Sequence, residues 1–216
     1  HARTACPLVV GQNRVAAAEL LLANTDCDII LSDDGLQHYR LQRDIEIAII
    51  DTRRQFGNGF CLPSGPLREP VSRLAQVDLV VDHCTATEEC LAEDNFSLQF
   101  SDAINLKSNE ALSLESFKGA AVHAVAGIGH PQRFFDQLSR AGLEVIEHAF
   151  PDHHKYNGDD FVFNDDFDIL MTEKDAVKCQ GFLSDKLWYV PVTAELSNSL
   201  CQKLLSKVKQ LTSDKV

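Results

Sequence analysis

Short apolar, β-rich runs alternate along this chain with longer stretches spaced for helices. Residues 7–10 (PLVV) read as a strand, and 14–23 (RVAAAELLLA), full of strong helix formers, as the helix after it. Further strands are expected at 27–31 (CDIIL), 44–51 (DIEIAIID) and 77–82 (VDLVVD). The runs at 27–31 and 77–82 are apolar nearly throughout, the pattern of parallel strands buried on both faces. The middle run opens with alternation, which places it nearer a sheet edge. Strand, helix and strand in this order predict an α/β sheet.

The pattern breaks at 52–70 (TRRQFGNGFCLPSGPLREP), whose three glycines and three prolines exclude a helix or a central strand. A loop of that length in a compact domain is usually functional, and Phe56, Phe60 and Leu62 favour an ordered one. From 97 to 118 the pieces become shorter, more polar and β-prone, as in a linker. Alternation then resumes. Strands are expected at 120–127 (AAVHAVAG), 143–150 (LEVIEHAF), 167–172 (FDILMT) and 187–192 (LWYVPV), with a helix opened by Pro131 and closed by Gly142. Leu200, Leu204, Val208 and Leu211 share one face of a final helix. The expected organisation is therefore a first domain over 1–96, a β linker over 97–118 and a second, Rossmann-like α/β domain over 119–216. The last helix is expected to pack back on the first domain.

A chain of 216 residues can bury a substantial core. Its net charge of −12 argues against a nucleic-acid-binding surface. Seven cysteines without a C-x-x-C pair argue against a disulfide framework and for a reducing compartment. Cys84 and Cys90, beside His83, read as free thiols, because a metal site would need another ligand and better spacing. No apolar run approaches the roughly 20 residues needed to span a bilayer, and no signal peptide is evident. The chain opens at His1, directly ahead of a strand-like run, and reads as one that begins inside a fold.

Asp33 and Asp34 stand side by side after the apolar run 27–31, where their charges repel. In open α/β sheets, ligands bind at the carboxyl ends of strands. Paired carboxylates there suit Mg²⁺, which takes hard oxygen ligands alongside phosphate oxygens and water. Asp-Gly is equally a common turn dipeptide, and spacing alone leaves both readings open. The phosphate-cradling loop G-x-x-x-x-G-K-[ST] that would accompany such a site occurs nowhere in the sequence. Gly127 and Gly129 follow a strand and precede a helix, but they lack the third glycine of the dinucleotide fingerprint and read as a tight β–α turn. Asp152, His153 and His154 follow another strand, where a histidine could serve as general acid or base. In 172–178 (TEKDAVK), Thr172 reads as the cap of a short helix.

Together, "SDDGLQHYRLQRDIEIAIID", "FGNGFCLPSGPLREP", "RFFDQLSRAGLEV", "FPDHHKY" and "MTEKDAVK", in this order, resemble the tetraacyldisaccharide 4'-kinase family of lipid A biosynthesis. The resemblance implies part of a P-loop kinase-type sheet followed by a smaller Rossmann-like domain. It also implies MgATP-dependent phosphorylation of the 4'-hydroxyl of a tetraacyl glucosamine disaccharide 1-phosphate, at the cytoplasmic face of the bacterial inner membrane. The implied cofactors are ATP and Mg²⁺. Carried over residue by residue, Asp33 and Asp34 hold the metal, His38 closes that motif, and Arg68 and Glu69 lie near the phosphates. His153 helps deprotonate the sugar hydroxyl, His154 is the less favoured candidate, and Asn58 joins His38 and His154 in binding substrate. The resemblance covers the last two-thirds of a family member. The P-loop lysine and threonine, the membrane helix and the aspartate partner of the catalytic histidine belong to the part not matched. The expected partners are the lipid disaccharide and the inner-membrane surface, without nucleic acid, and a monomer is expected. Two other classes stay open: a non-catalytic remnant that binds a sugar lipid or a protein, and a nucleotide-dependent oxidoreductase built on Gly127 and Gly129.

Overall fold

The structure is a computed structural model that describes residues 6–84, 90, 92–179, 181–182 and 184–213. The chain divides into two compact units, one formed by 1–96 with 196–216, the other by 97–195.

In the first unit, helix α1 (Arg14–Asn24) opens on Asn13, whose side chain accepts from the Ala16 amide. Strands β1 (Ile47–Asp51) and β2 (Leu79–Cys84) run parallel, with Ile47 opposite Leu79 and Asp51 opposite His83. Glu46 precedes β1 and bonds both Arg43 and Arg73. The Arg73 bond, with help from Arg43, holds its carboxyl below the usual range. The runs 7–10 and 27–31, expected as strands, are irregular instead. A strand needs a neighbour for its N–H and C=O groups, and no strand pairs with either run among the described residues. Val10 and Leu31 accordingly lie 88% and 91% exposed. Asp33 and Asp34 therefore sit in a turn after an irregular run, not at a strand end.

The chain crosses to the second unit in β3 (Asn95–Phe100). There β4 (Ala103–Asn105), β5 (Ala111–Leu112), β6 (Ala121–Ala126), helix α2 (Pro131–Arg140), β7 (Glu144–Ala149), β8 (Ile169–Thr172), the single turn α3 (Glu173–Ala176) and β9 (Leu187–Val190) follow. The six strands align in the order β5-β4-β9-β8-β6-β7, with β7, β6, β8 and β9 parallel. The segment 97–118 thus contributes two of these strands, β4 and β5, in antiparallel pairing. Helix α2 begins at Pro131 and lays Phe134, Phe135 and Leu138 against Val122, Ala124 and Leu170. Each fully buried side chain of this size contributes about 1.5–3 kcal/mol. Trp188 packs edge-on to Phe117 and donates its indole N–H to Asp168 at 3.1 Å.

Strand β10 (Val192–Leu196) leads back, completing a four-stranded order β1-β2-β3-β10, and helix α4 (Asn198–Ser213) closes the chain. Leu200 is buried with Leu79 and Val81, and Leu204 packs beside them. Lys203 and Lys207 pair with Asp94 and Asp78. Cys84 and Cys90, expected as free thiols, are joined, with Cα atoms 6.0 Å apart. That distance lies within bridging range, which six residues of sequence separation did not reveal.

Candidate active site

In the first unit the site begins at a tight turn. Gly35 is buried, and a side chain there would meet Ser32 Oγ at 2.5 Å, so the turn admits only glycine. Asp34 takes the left-handed conformation (φ 49°), which aspartate tolerates better than most residues. The Gly35 carbonyl accepts from the His38 amide at 2.9 Å and from Arg43 Nη1 at 3.2 Å, tying the aspartate turn to the next one.

His38 borders a cavity of about 520 Å³, lined also by Asn13, Arg14, Gln37 and Arg40. The irregular loop reaches back to the same segment. Arg68 Nη1 donates to Gln37 Oε1 at 3.1 Å, and Tyr39 donates its hydroxyl to Glu69. The fold thus brings His38, Arg68 and Glu69 to one segment, beside the turn of Asp33 and Asp34. Arginine is the side chain suited to phosphate oxygens. The paired aspartates supply hard oxygens of the type Mg²⁺ takes, leaving its other positions to phosphate and water. The residues fit a magnesium–nucleotide complex.

Asn58 has a different place. Its amide donates to the Ser64 carbonyl at 2.9 Å and accepts from the Phe60 amide at 3.2 Å. Gly65 lies so close that a side chain there would reach Asn58 Oδ1 at 2.1 Å. Asn58 fastens the loop to itself, and Phe60 and Leu62 project from it into solvent.

His153 and His154 belong to the second unit, at the carboxyl edge of its parallel strands. Asp175 is fully buried and accepts from Thr172 Oγ1 at 2.7 Å, Lys178 Nζ at 2.8 Å and the Gly127 amide at 2.9 Å. It joins the end of β6 to the turn after β8. Gly127 is glycine because of this crowding: a side chain would meet Tyr156 Oη at 2.7 Å and Asp175 Oδ1 at 3.2 Å. Burial and the Asp175 charge raise the Tyr156 hydroxyl pKa, and burial pushes the Cys179 thiol up to about 12. With its amide already held by Asp175, Gly127 has no free N–H for a dinucleotide pyrophosphate.

One residue before Asp175, Lys174 Nζ donates to Asp152 Oδ1 at 2.9 Å and ties the loop after β7 to the same turn. That bond is the largest reason the Asp152 carboxyl lies below its ordinary value. Asp152 also accepts from the His153 amide at 3.0 Å, and its Oδ2 stands 3.7 Å from His153 Nε2. His153 takes the left-handed conformation (φ 62°), uncommon outside glycine though histidine enters it more often than most, and its imidazole is 79% exposed. His154 turns the other way. Its Nε2 lies 3.1 Å from Asp160 Oδ2, and its ring packs on Phe150 and Tyr156. Replacing Lys174 with methionine is expected to raise the Asp152 pKa towards the ordinary aspartate value, read by a carboxyl ¹³C titration. An unchanged titration would remove Lys174 from this account.

The sequence marked Thr172 as a cap, and its side chain does accept from the Asp175 amide at 3.2 Å. It gave no sign of Asp175 reaching Gly127 or Lys174 reaching Asp152, since each bond joins two different strand ends.

The first unit thus sets a turn with two adjacent aspartates near Arg68 and His38, and the second sets an exposed histidine beside Asp152. The family model for tetraacyldisaccharide-1-P 4'-kinase matches residues 1–209, and the chain belongs to that family. A tetraacyldisaccharide 4'-kinase of Nitrosococcus oceani is 49% identical over 216 residues, which cover 99% of this chain and 62% of the relative. Its counterpart in Methylobacillus flagellatus is 48% identical over 99% of this chain and 64% of its own length. Among solved structures, LpxK from Aquifex aeolicus in complex with ATP superimposes with a TM-score of 0.69 at 26% identity, over 91% of this chain and 62% of that one. The chain therefore spans a little under two-thirds of the length of these relatives.

Proposed function

We propose that this chain is the carboxyl-terminal part of a kinase that transfers the γ-phosphoryl group of ATP to the 4'-hydroxyl of a tetraacyl glucosamine disaccharide 1-phosphate. The family match over nearly the whole chain carries the reading. Asp33 and Asp34 are the residues that would hold Mg²⁺, which supplies charge neutralisation at the nucleotide phosphates when bound. Arg68 offsets the charge that develops on the transferred group, with Glu69 held beside it through Tyr39. His38 lines the substrate cavity. His153, exposed and next to an ionised Asp152, takes the proton of the sugar hydroxyl, and His154 buttresses its loop. Asn58 serves the substrate by fixing the loop that carries Arg68 and Glu69. The setting is the cytoplasmic face of the inner membrane, where exposed Phe60 and Leu62 offer apolar side chains to a lipid substrate. No described helix is long and apolar enough to cross a membrane. The catalytic unit is a monomer.

The test is phosphoryl transfer from labelled ATP to the tetraacyl disaccharide. It compares the 216-residue chain with a chimera that adds the part of the Nitrosococcus oceani relative this chain does not span. The chimera is expected to make 4'-phosphorylated product and the chain alone to show no Mg²⁺-dependent ATP turnover. A folded chimera that binds the lipid but makes no product would favour a remnant. Turnover by the chain alone would refute the need for the added phosphate loop.

A further inference from the structure

Three side chains outside the proposed reaction form a hydrogen-bonded row in the second unit. His123 lies in the middle of β6 and is 3% exposed. Its Nε2 stands 2.9 Å from Asp165 Oδ1, and its Nδ1 stands 2.9 Å from His148 Nε2 on β7. The Phe163 ring stacks on His123 at 3.7 Å and lies 4.4 Å from the His148 ring, with Phe167 at 6.0 Å from His123.

The partners fix the tautomers. An ionised Asp165 only accepts, so His123 carries its hydrogen on Nε2 and presents a lone pair at Nδ1. His148 must then donate from Nε2. One added proton leaves the row intact, because it can sit on the outer nitrogen of His148. A second would place a hydrogen on each of two nitrogens 2.9 Å apart and set two like charges together. The other charged groups nearby do not alter this count. Lys186 pairs with Asp166 and acts on Asp165 through its charge. Asp168 gives its carbonyl to the His123 amide and its carboxylate to Trp188.

We propose that the Asp165–His123–His148 row is an acid switch in the stability of the second unit, holding at most one proton where the unfolded chain takes two. Burial lowers the His148 pKa first, the neighbouring His123 charge lowers it further, and Asp165 works against both. The sign follows. Above about pH 6.5 both states are neutral and nothing is lost. As pH falls below that, the unfolded chain binds the proton that the folded row refuses. Stability then declines until the lowered native pKa is passed. This inference does not rest on the kinase reading.

The test is equilibrium denaturation of the whole chain between pH 7.5 and 5, followed by the fluorescence of Trp188, its one tryptophan. Below pH 6.5 the unfolding constant is expected to rise by up to about tenfold per pH unit, the linkage of one proton. In His148→Gln the carboxamide can turn its oxygen to accept from a protonated His123 Nδ1, so folded and unfolded chains each take one proton and the slope flattens. An identical slope in that variant overturns the proposal. In Asp165→Asn the carboxamide oxygen still accepts from His123, yet the counter-charge is gone, so the decline steepens. A slope unchanged in Asp165→Asn also overturns it, which keeps the proposal open to refutation should His148→Gln fail to fold.

Discussion

Replacing Asp175 with alanine is expected to cost the second unit about 3–5 kcal/mol, the usual result of removing one partner of a buried ion pair. The carboxylate is fully buried and accepts from Thr172, Lys178 and the Gly127 amide at once. Its loss leaves the Thr172 hydroxyl and the Gly127 N–H without this acceptor, and Lys178 with only the long contact to the Gly127 carbonyl at 3.4 Å. Asparagine should cost less, since its carbonyl can still accept from the Gly127 amide. Denaturation followed by Trp188 fluorescence measures both. A loss below about 1 kcal/mol for the alanine variant would mean the three donors find other partners, and Asp175 would no longer be what joins β6 to α3.

The second large effect is catalytic. In the chimera described above, His153→Ala is expected to lower turnover by about 10²- to 10⁴-fold, the range contributed by a positioned general base. Binding of the disaccharide should change little, because the loss falls on the transition state. His154→Ala is expected to act on stability instead, since its ring packs on Phe150 and Tyr156 and its Nε2 faces Asp160. The comparison is decisive because the residues are adjacent and chemically alike. If His154→Ala abolished turnover in a folded protein while His153→Ala left it intact, the assignment would be reversed.

Much of the architecture was legible in the sequence. Apolar runs at β2, β6, β8 and β9 carried their own burial, the run at β1 gave a sheet-edge strand with Ile47 and Ile49 exposed, and Pro131 with Gly142 bracketed α2. The runs at 7–10 and 27–31 misled because strand composition does not supply a neighbouring strand. Asp33 and Asp34 were visible as a charged pair whatever the backbone did, and the "LRE" segment carried Arg68 and Glu69. Asn58 illustrates the opposite limit: whether an amide serves a ligand or its own loop depends on where Ser64 and Phe60 fall. The same holds for Lys174 and Asp152, 22 residues apart in sequence and joined only across two strand ends. The His123–Asp165 bond spans 42 residues in the same way.

The two units differ in how they are written along the chain: one is continuous from 97 to 195, the other is split by it into 1–96 and 196–216. On the ribosome this becomes an order of events. The continuous unit has all its strands once residue 195 has emerged, and it can close while synthesis continues. The split unit must hold Leu79 and Val81 uncovered until Leu200 and Leu204 have been made. A stop codon just after β10 would therefore damage the unit that holds residues 1–96 rather than the most recently made part. Residues 1–96 are then a portion that needs chaperone protection until α4 is made.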